Sequence, residues 1–333
     1  MGLTFKPTYR VLADGRDISG LLTPRLSSLE VVDRAGIESD TATITLADTG
    51  PLRIEMPRTG AELEIFMGYA PTAARMGRFI VDEVEISGPP DQMTITAHAS
   101  PHEATRGGIT ALQTQRSRSF PVGTTLGALV QRLAADHGLQ PAISEALASI
   151  PLPHIDQLAE SDMSLLTRIA GMVGAIAKPA GGRLAVVRRG QGTSASGAAL
   201  PVVTLRPGDV SSWSMRISQR EPAASVVAVW RDLDAAADRE VIAGEGEPQR
   251  RLRNPFPDEA SAQRAAEAEL ERSQARGATL TLALPGRTDL MAEGRLQLSG
   301  WRDGVAGEWL IEQATHKIDG DGYSCSVGAV RAL

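Results

Sequence analysis

The chain has 333 residues, of which 42% are hydrophobic and 22% charged, and its net charge is −6. That length accommodates two or three domains of ordinary globular composition, while 4% aromatics and the absence of a long basic run argue against a nucleic-acid binder built on phosphate contacts or base stacking. A lone cysteine, Cys325, excludes an intrachain disulfide framework, and no apolar run reaches the roughly 18 residues of a membrane span.

Residues 8–105 read as strands. Tyr9-Arg10-Val11-Leu12 leads into Asp14-Gly15, a hairpin signal. Thr41 to Leu46 alternates, as do Leu63, Ile65 and Met67 with their polar neighbours, and Phe79–Ile86 and Met93–Ala97 flank the turn residues Ser87-Gly88-Pro89-Pro90-Asp91. Short strands at this spacing, punctuated by Gly and Pro, predict a small barrel or sandwich.

The period changes after Thr105. Leu126, Leu129, Val130 and Leu133 share one helical face, with Thr124 or Thr125 to cap it and Gly138 to end it. Met163, Leu166, Ile169, Ala170 and Val173 predict a second helix, with Ser161 as N-cap and Gly174 as terminator. Ile176–Pro179 and Arg183–Val187 then flank Ala180-Gly181-Gly182 as a hairpin. Residues 106–200 are therefore expected to form a small α/β middle domain, whose Gly/Ser/Ala-rich end is a link. A third helix is predicted between Pro257 and Gly277, Ala-rich, either flat on a neighbour or solvated.

Residues 201–333 repeat the first segment. Gly77-Arg78-Phe79-Ile80-Val81-Asp82-Glu83 reads as Gly307-Glu308-Trp309-Leu310-Ile311-Glu312-Gln313, and the match runs without a gap to Met93–Ala97 against Tyr323–Val327. At an offset of 184, Leu26–Val31 matches Val210–Met215 and Thr43–Leu46 matches Val227–Trp230. Phe66–Tyr69 matches Leu298–Trp301 at an offset of 232, which places a 48-residue insertion at about 233–280 of the second copy. A rival pairing sets Thr43–Ala47 on Thr279–Ala283; the first is preferred because one offset covers two blocks. The expected fold is β-rich α+β: two similar small β-barrel domains, 1–105 and 201–333, flanking the α/β domain at 106–200, with the helical insertion in the second barrel.

Candidate chemistry is sparse. His98 and His102 are four apart but straddle Ser100-Pro101, which removes helical metal-ligand geometry. Asp319-Gly320-Asp321-Gly322 resembles the start of a calcium loop without its glutamate, and the first copy holds a proline turn there, so turn chemistry explains both. Gly190-Gln191-Gly192 opens no helix and fails the context of a dinucleotide loop. Cys325 alternates with Tyr323 and Val327 and reads as a small core residue. His154, Asp156, Glu160 and Asp162 form the densest polar cluster; a glycosidase acid pair is one account, and helix capping by Asp162 the simpler one. Arg188-Arg189 and Arg250-Arg251-Arg253 are short basic patches suited to solvated faces or partner contacts. No catalytic, cofactor-binding or metal site is assigned.

Two blocks carry a family resemblance. One is Asp156-Gln157-Leu158-Ala159-Glu160-Ser161-Asp162-Met163-Ser164-Leu165-Leu166-Thr167-Arg168-Ile169-Ala170. The other is Gly294-Arg295-Leu296-Gln297-Leu298-Ser299-Gly300-Trp301, continuing through Gly307–Lys317. In their order and layout the chain resembles the late control gene D family, the baseplate hub proteins of contractile phage tails. It is also similar to the N-terminal part of the type VI secretion spike protein and to pyocin hubs. The resemblance implies a structural, non-enzymatic homotrimer, found in the host cytoplasm during assembly and then at the tail tip. Its partners would be a separate tail spike, the tail tube or a tube initiator, and baseplate proteins. Three chains with two barrels each would join a threefold spike to a sixfold tube. The end at Leu333 carries the expectation that no spike is fused. The alternatives are a cell-wall glycosidase using Asp156, Glu160 and Asp162, or a duplicated β-rich binding module.

Overall fold

The computed structural model describes residues 6–36, 39–49, 53–99, 110–180, 182–190, 200–218 and 222–332. The N-terminal segment supplies β1 (Pro7–Ala13), β2 (Arg16–Asp17), α1 (Ser19–Leu22), β3 (Leu26–Arg34), β4 (Thr41–Ala47), β5 (Glu62–Tyr69), β6 (Thr72–Ser87) and β7 (Gln92–Ala99). They lie in the order β3-β4-β7-β6-β5-β1-β2. Asp14 and Gly15 both take positive φ between the paired Ala13 and Arg16, the two-residue turn that matches the twist of a hairpin. In β4 the Thr41, Thr43 and Thr45 side chains stay half-exposed while Ala42, Ile44 and Leu46 are buried, the period-two pattern of a strand covered on one face.

The middle segment forms α2 (Thr110–Gln113), β8 (Gln115–Phe120), α3 (Leu126–Asp136), β9 (Gln140–Ile143), α4 (Glu145–Ala148), β10 (Ile155–Ser161), α5 (Asp162–Met172), β11 (Ala175–Ala180) and β12 (Arg183–Arg188). Strand β10 pairs with β8, and β11-β12-β9 make a second small sheet. Thr125 caps α3 by accepting from the Ala128 amide at 3.2 Å, and Ser161 caps α5 by accepting from the Ser164 amide at 3.2 Å. Gly138 and Gly174 follow these helices with φ of +66° and +67°, the left-handed exit that a Cβ would oppose. The apolar faces of α3 and α5 meet in a separate core around Leu126, Leu129, Leu133, Leu165 and Ile169.

The C-terminal segment contains β13 (Val202–Leu205), β14 (Ser212–Ile217), β15 (Ser225–Asp232), β16 (Ala237–Gly244), β17 (Gln249–Arg251), α6 (Glu259–Ala275), β18 (Ala278–Pro285), β19 (Arg295–Leu298), β20 (Gly307–Asp319) and β21 (Gly322–Arg331). Six of these strands repeat the first copy's order, as β14-β18-β21-β20-β19-β13. The fine structure repeats too. The ladder of β6 on β7 slips between Val81 and Glu83, and that of β20 on β21 slips between Ile311 and Gln313, so Asp82 and Glu312 are equivalent bulge residues. Phe79 and its counterpart Trp309 are both fully buried.

The ladders correct the predicted alignment in three places. The match into β7 is not gapless: Val81 pairs with Ala97 but Ile311 pairs with Ala329, so the second hairpin holds two extra residues and Met93 answers Cys325. Strand β19 sits one residue off the predicted offset, with Leu298 opposite Gly307 as Ile65 is opposite Gly77. Both are buried, and a one-residue slip would turn them outward. The third correction is larger. The strand between β14 and β21 is β18, so the partner of β4 is the segment of the rival pairing, with Thr41 answering Thr279. Val227–Trp230 belongs to β15, the centre of the separate sheet β16-β15-β17. The insertion is therefore residues 218–277, between the paired Ile217 and Ala278, and it holds a sheet as well as a helix. An apolar run records that a strand is buried but not which neighbour it pairs with, and β15 is buried by α6 rather than by the duplicated sheet.

Helix α6 lies flat on that sheet. Asp258 caps it, accepting from the Ser261 amide at 2.8 Å, and Ala262, Ala265, Ala266 and Ala268 are buried. On its outer face Glu269 pairs with Arg272 at 2.5 Å, and Glu267 accepts from Gln263 at 2.7 Å.

The two copies are joined directly. Strand β3 pairs antiparallel with β20, from Gln313 opposite Arg34 to Asp319 opposite Ser28, and one hydrophobic core runs through both copies. The result is a 13-stranded sheet with the middle segment and the insertion off its path. Trp309 lies in that shared core with its indole N–H donating to the Val305 carbonyl at 2.8 Å. Trp309→Ala is expected to cost about 4 kcal/mol, read as a lower denaturant midpoint, because it leaves both a cavity and an unpaired carbonyl.

Candidate functional site

The carboxylates that sequence reasoning grouped lie along β10 and the start of α5, each held by its own partners. Asp156 accepts from Ser119 at 2.7 Å and lies 3.0 Å from His154, and these contacts hold its pKa below the usual range. Glu160 is paired with Arg168 at 2.8 Å and accepts from Ser164, and it too is lowered, chiefly by Arg168. Asp162 is fully buried. Burial acts to raise its pKa, but Gln157 at 2.7 Å, His137 at 2.7 Å and Arg118 at 2.6 Å outweigh it and keep the carboxyl low. A glycosidase acid must hold a proton near neutral pH, which requires an upward shift. All three groups move the other way, and the arrangement anchors α5 on β8 and β10. Sequence reasoning missed Arg116, Arg118, Asp136 and His137 around Asp162. The available signal was Arg116 and Arg118 at a two-residue spacing, which puts both on one face of β8.

Cys325 presents a different constellation. Its sulfur lies 3.2 Å from Nδ1 of His316, which is 2.9 Å from the Tyr323 hydroxyl, while His316 Nε2 is 2.9 Å from the Leu290 carbonyl oxygen. A cysteine beside a histidine has the form of an activated nucleophile. Burial decides against that: it pushes the thiol up to about 11 and the imidazole down, so the neutral pair persists at physiological pH. Gly286 faces the Tyr323 ring so closely that an added Cβ would lie 2.1 Å from it. The trio is core packing with its polar atoms satisfied, as expected for Cys325.

The remaining motifs resolve as turns and pairs. Asp319 accepts from the Asp321 amide at 3.0 Å and pairs with Lys317 at 2.9 Å, so its carboxylate closes the turn. His98 stands 3.8 Å from Asp82; its proposed companion His102, and Gln191 and Gly192 of the glycine motif, lie outside the described residues. Arg250 pairs with Glu269 at 2.7 Å and Arg251 with Glu240 at 2.5 Å.

The middle segment is fixed to the sheet through ion pairs. Lys178 of β11 donates to Asp40 at 2.8 Å, to Asp33 at 3.2 Å and to the Arg34 carbonyl at 3.1 Å, and Asp33 also accepts from the Ala292 amide at 2.8 Å. Burial opposes the charge on Lys178, but the two carboxylates prevail and its pKa rises. Asp40 is pushed up to about 6, first by burial and then by the neighbouring charge of Asp33. A cleft of about 1180 Å³ runs along this seam and under α6. Four of the seven arginines that line it, Arg168, Arg189, Arg272 and Arg295, face Glu160, Glu312, Glu269 and Glu308. Among the described residues, no helix is long and apolar enough to cross a membrane.

The phage tail baseplate hub (GPD) family matches residues 57–322. A probable baseplate hub protein of Escherichia phage P2 is 30% identical over 369 residues, covering 98% of this chain and 93% of the relative. Among solved structures, the 43 kDa tail protein of prophage MuSo2 from Shewanella oneidensis has a TM-score of 0.71 at 16% identity, with 98% of each chain covered. A tail protein from Neisseria meningitidis MC58 has a TM-score of 0.73 at 14% identity, covering 98% of this chain and 97% of the other.

Two outcomes are expected. Cys325 stays unlabelled by a thiol reagent at neutral pH and becomes labelled once the protein is unfolded, as followed by mass spectrometry. Because the pKa of Asp40 is raised on folding, its contribution to stability is full below about pH 4 and is lost as pH rises through about 6. Denaturant titrations across that window are expected to show a fall in stability for the wild type that Asp40→Asn does not show.

The matched span, the whole-length relative and the shared architecture together place this chain in the phage tail baseplate hub family, whose members are structural proteins of the contractile tail and not enzymes.

Proposed function

We propose that the chain is the trimeric hub of a contractile injection device, in which three chains arrange six similar β units in a ring. The ring adapts a separate threefold spike to a sixfold tail tube or tube initiator, and the units at 1–105 and 201–333 act as its barrels. The middle domain at 106–200 and the insertion at 218–277 lie off the duplicated sheet and meet the baseplate proteins. Assembly takes place in the host cytoplasm, and the finished ring sits at the tail tip of the particle.

One observation carries this reading. The same six-strand order occurs twice on one continuous sheet, so a single chain presents two near-equivalent units side by side. A threefold assembly of such chains offers six similar contacts to a sixfold partner. Family membership supports the tail location. Light scattering on the purified protein across a concentration series is expected to give three times the mass of the 35.2 kDa chain. A mass that stays at one chain at high concentration overturns the proposal.

A further inference from the structure

The ladder between the copies has an unused twin. Within the chain, the edge of β20 beyond its bulge, residues Gln313 to Asp319, is covered by β3. The equivalent edge of β6, from Glu83 onward, has β7 on one side and, among the described residues, no ladder on the other. The equivalent of β3 is β14, which pairs with β18 on one side and ends the sheet on the other. Among the described residues, each chain therefore keeps one free edge of each kind that the β3·β20 junction joins.

The register of the twin follows from the ladders. Strand β20 maps on β6 at an offset of 230, fixed by the shared bulge, and β3 maps on β14 at an offset of 184. Transferring the junction puts Glu83 opposite Ser218, Val84 opposite Ile217, Glu85 opposite Arg216, Ile86 opposite Met215 and Ser87 opposite Ser214. The side chains fit this register in two respects. Glu85 and Arg216 are exposed, opposite in charge and, among the described residues, in no ion pair. The apolar positions also match. Leu29 and Val31 of β3 and His316 and Ile318 of β20 are buried in the existing junction. On the free edges Trp213, the counterpart of Leu29, is 43% exposed, Ile86, the counterpart of His316, is 53% exposed, and Ile217 is 68% exposed. Apolar side chains on an uncovered edge strand are a liability that a pairing partner removes.

We infer that β14 of one chain adds to the β6 edge of the next chain in this register, repeating between chains the β3·β20 junction found within each. The contact is heterologous, because two different edges meet, so it propagates from chain to chain until it closes. With the three chains of the proposed hub, on which this inference rests, three internal and three intermolecular junctions alternate around one continuous sheet.

Cysteine cross-linking of the full chain tests the register. Under mild oxidation, Ser87→Cys/Ser214→Cys is expected to give covalent dimers and trimers and nothing larger, while each single variant stays monomeric on a non-reducing gel. Ser87→Cys/Arg216→Cys, two residues out of register on the same face, is expected to cross-link at least fivefold more slowly. A charge swap provides an independent readout. Glu85→Arg and Arg216→Glu are each expected to weaken association roughly two- to fivefold per interface, and the double variant to restore it. A trimer by light scattering that neither cross-links at Ser87/Ser214 nor responds to the swap overturns the edge pairing and leaves the hub reading standing. Equal cross-linking of the out-of-register pair overturns the register. A strict monomer overturns the hub reading, and this inference with it.

Discussion

Everything in this chain is arranged around the antiparallel ladder between β3 and β20. A strand edge carries a row of unmet N–H and C=O groups that must find water or another strand. Here the edge that β20 exposes past its bulge is met by the N-terminal copy's own β3, over seven residue pairs. The ladder joins the two units into one sheet with one shared core. Side chains from both copies, Leu29 and Val31 on one and Trp309 and Ala314 on the other, are buried in it together. The bulge residues Asp82 and Glu312 matter for the same reason. A bulge ends one neighbour's pairing and turns the strand, so β20 can pair with β19 before it and with β3 after it.

The other contacts follow from that frame and are mostly electrostatic. Lys178 bridges Asp33 and Asp40 immediately beside the β3 end of the ladder, and Arg189 reaches Glu312 at the bulge. Charges taken out of water are costly unless paired, and pairing rewards one geometry over its neighbours. The middle segment is thus registered on the sheet by a few fixed points rather than by a broad apolar interface, its own core being separate. The same logic governs Asp162, whose partners from β8, β10 and the end of α3 orient these elements around α5.

Local structure was legible in the sequence where one element's chemistry is self-contained. The caps at Thr125 and Ser161, the exits at Gly138 and Gly174, the Asp14-Gly15 hairpin and the start of α6 at Asp258 all follow from hydrogen-bond and φ requirements within a few residues. The repeat was legible at the bulge, because a glycine, an apolar triplet and an acidic residue recur together. Pairing was not legible. Val227–Trp230 has the composition of β4 but belongs to another sheet, and Thr279–Ala283 has it too and belongs to this one. Two extra residues in the second hairpin shifted the alignment by an even number, which leaves the inward and outward pattern intact and so leaves no trace in hydropathy. The Asp162 network spans residues 116 to 162, and the Lys178 bridge spans 33 to 178, separations over which composition carries no pairing information.

The differences between the copies are ordered in a way that the ladder explains. They agree where a strand must pair on both sides: the bulge, the buried aromatic at Phe79 and Trp309, and the alternation of β4 and β18. They diverge at the outer strand, where β1 runs antiparallel to β5 but β13 runs parallel to β19, and again where the chain leaves the sheet. One hairpin turns on Pro89-Pro90 and the other on Gly320-Asp321. The connection from β3 to β4 is short, while that from β14 to β18 carries a whole sheet and helix. A duplication inside one chain permits this asymmetry, because each copy answers separately to selection while the shared sheet holds both to one register. The insertion at 218–277 accordingly occupies one copy and not the other.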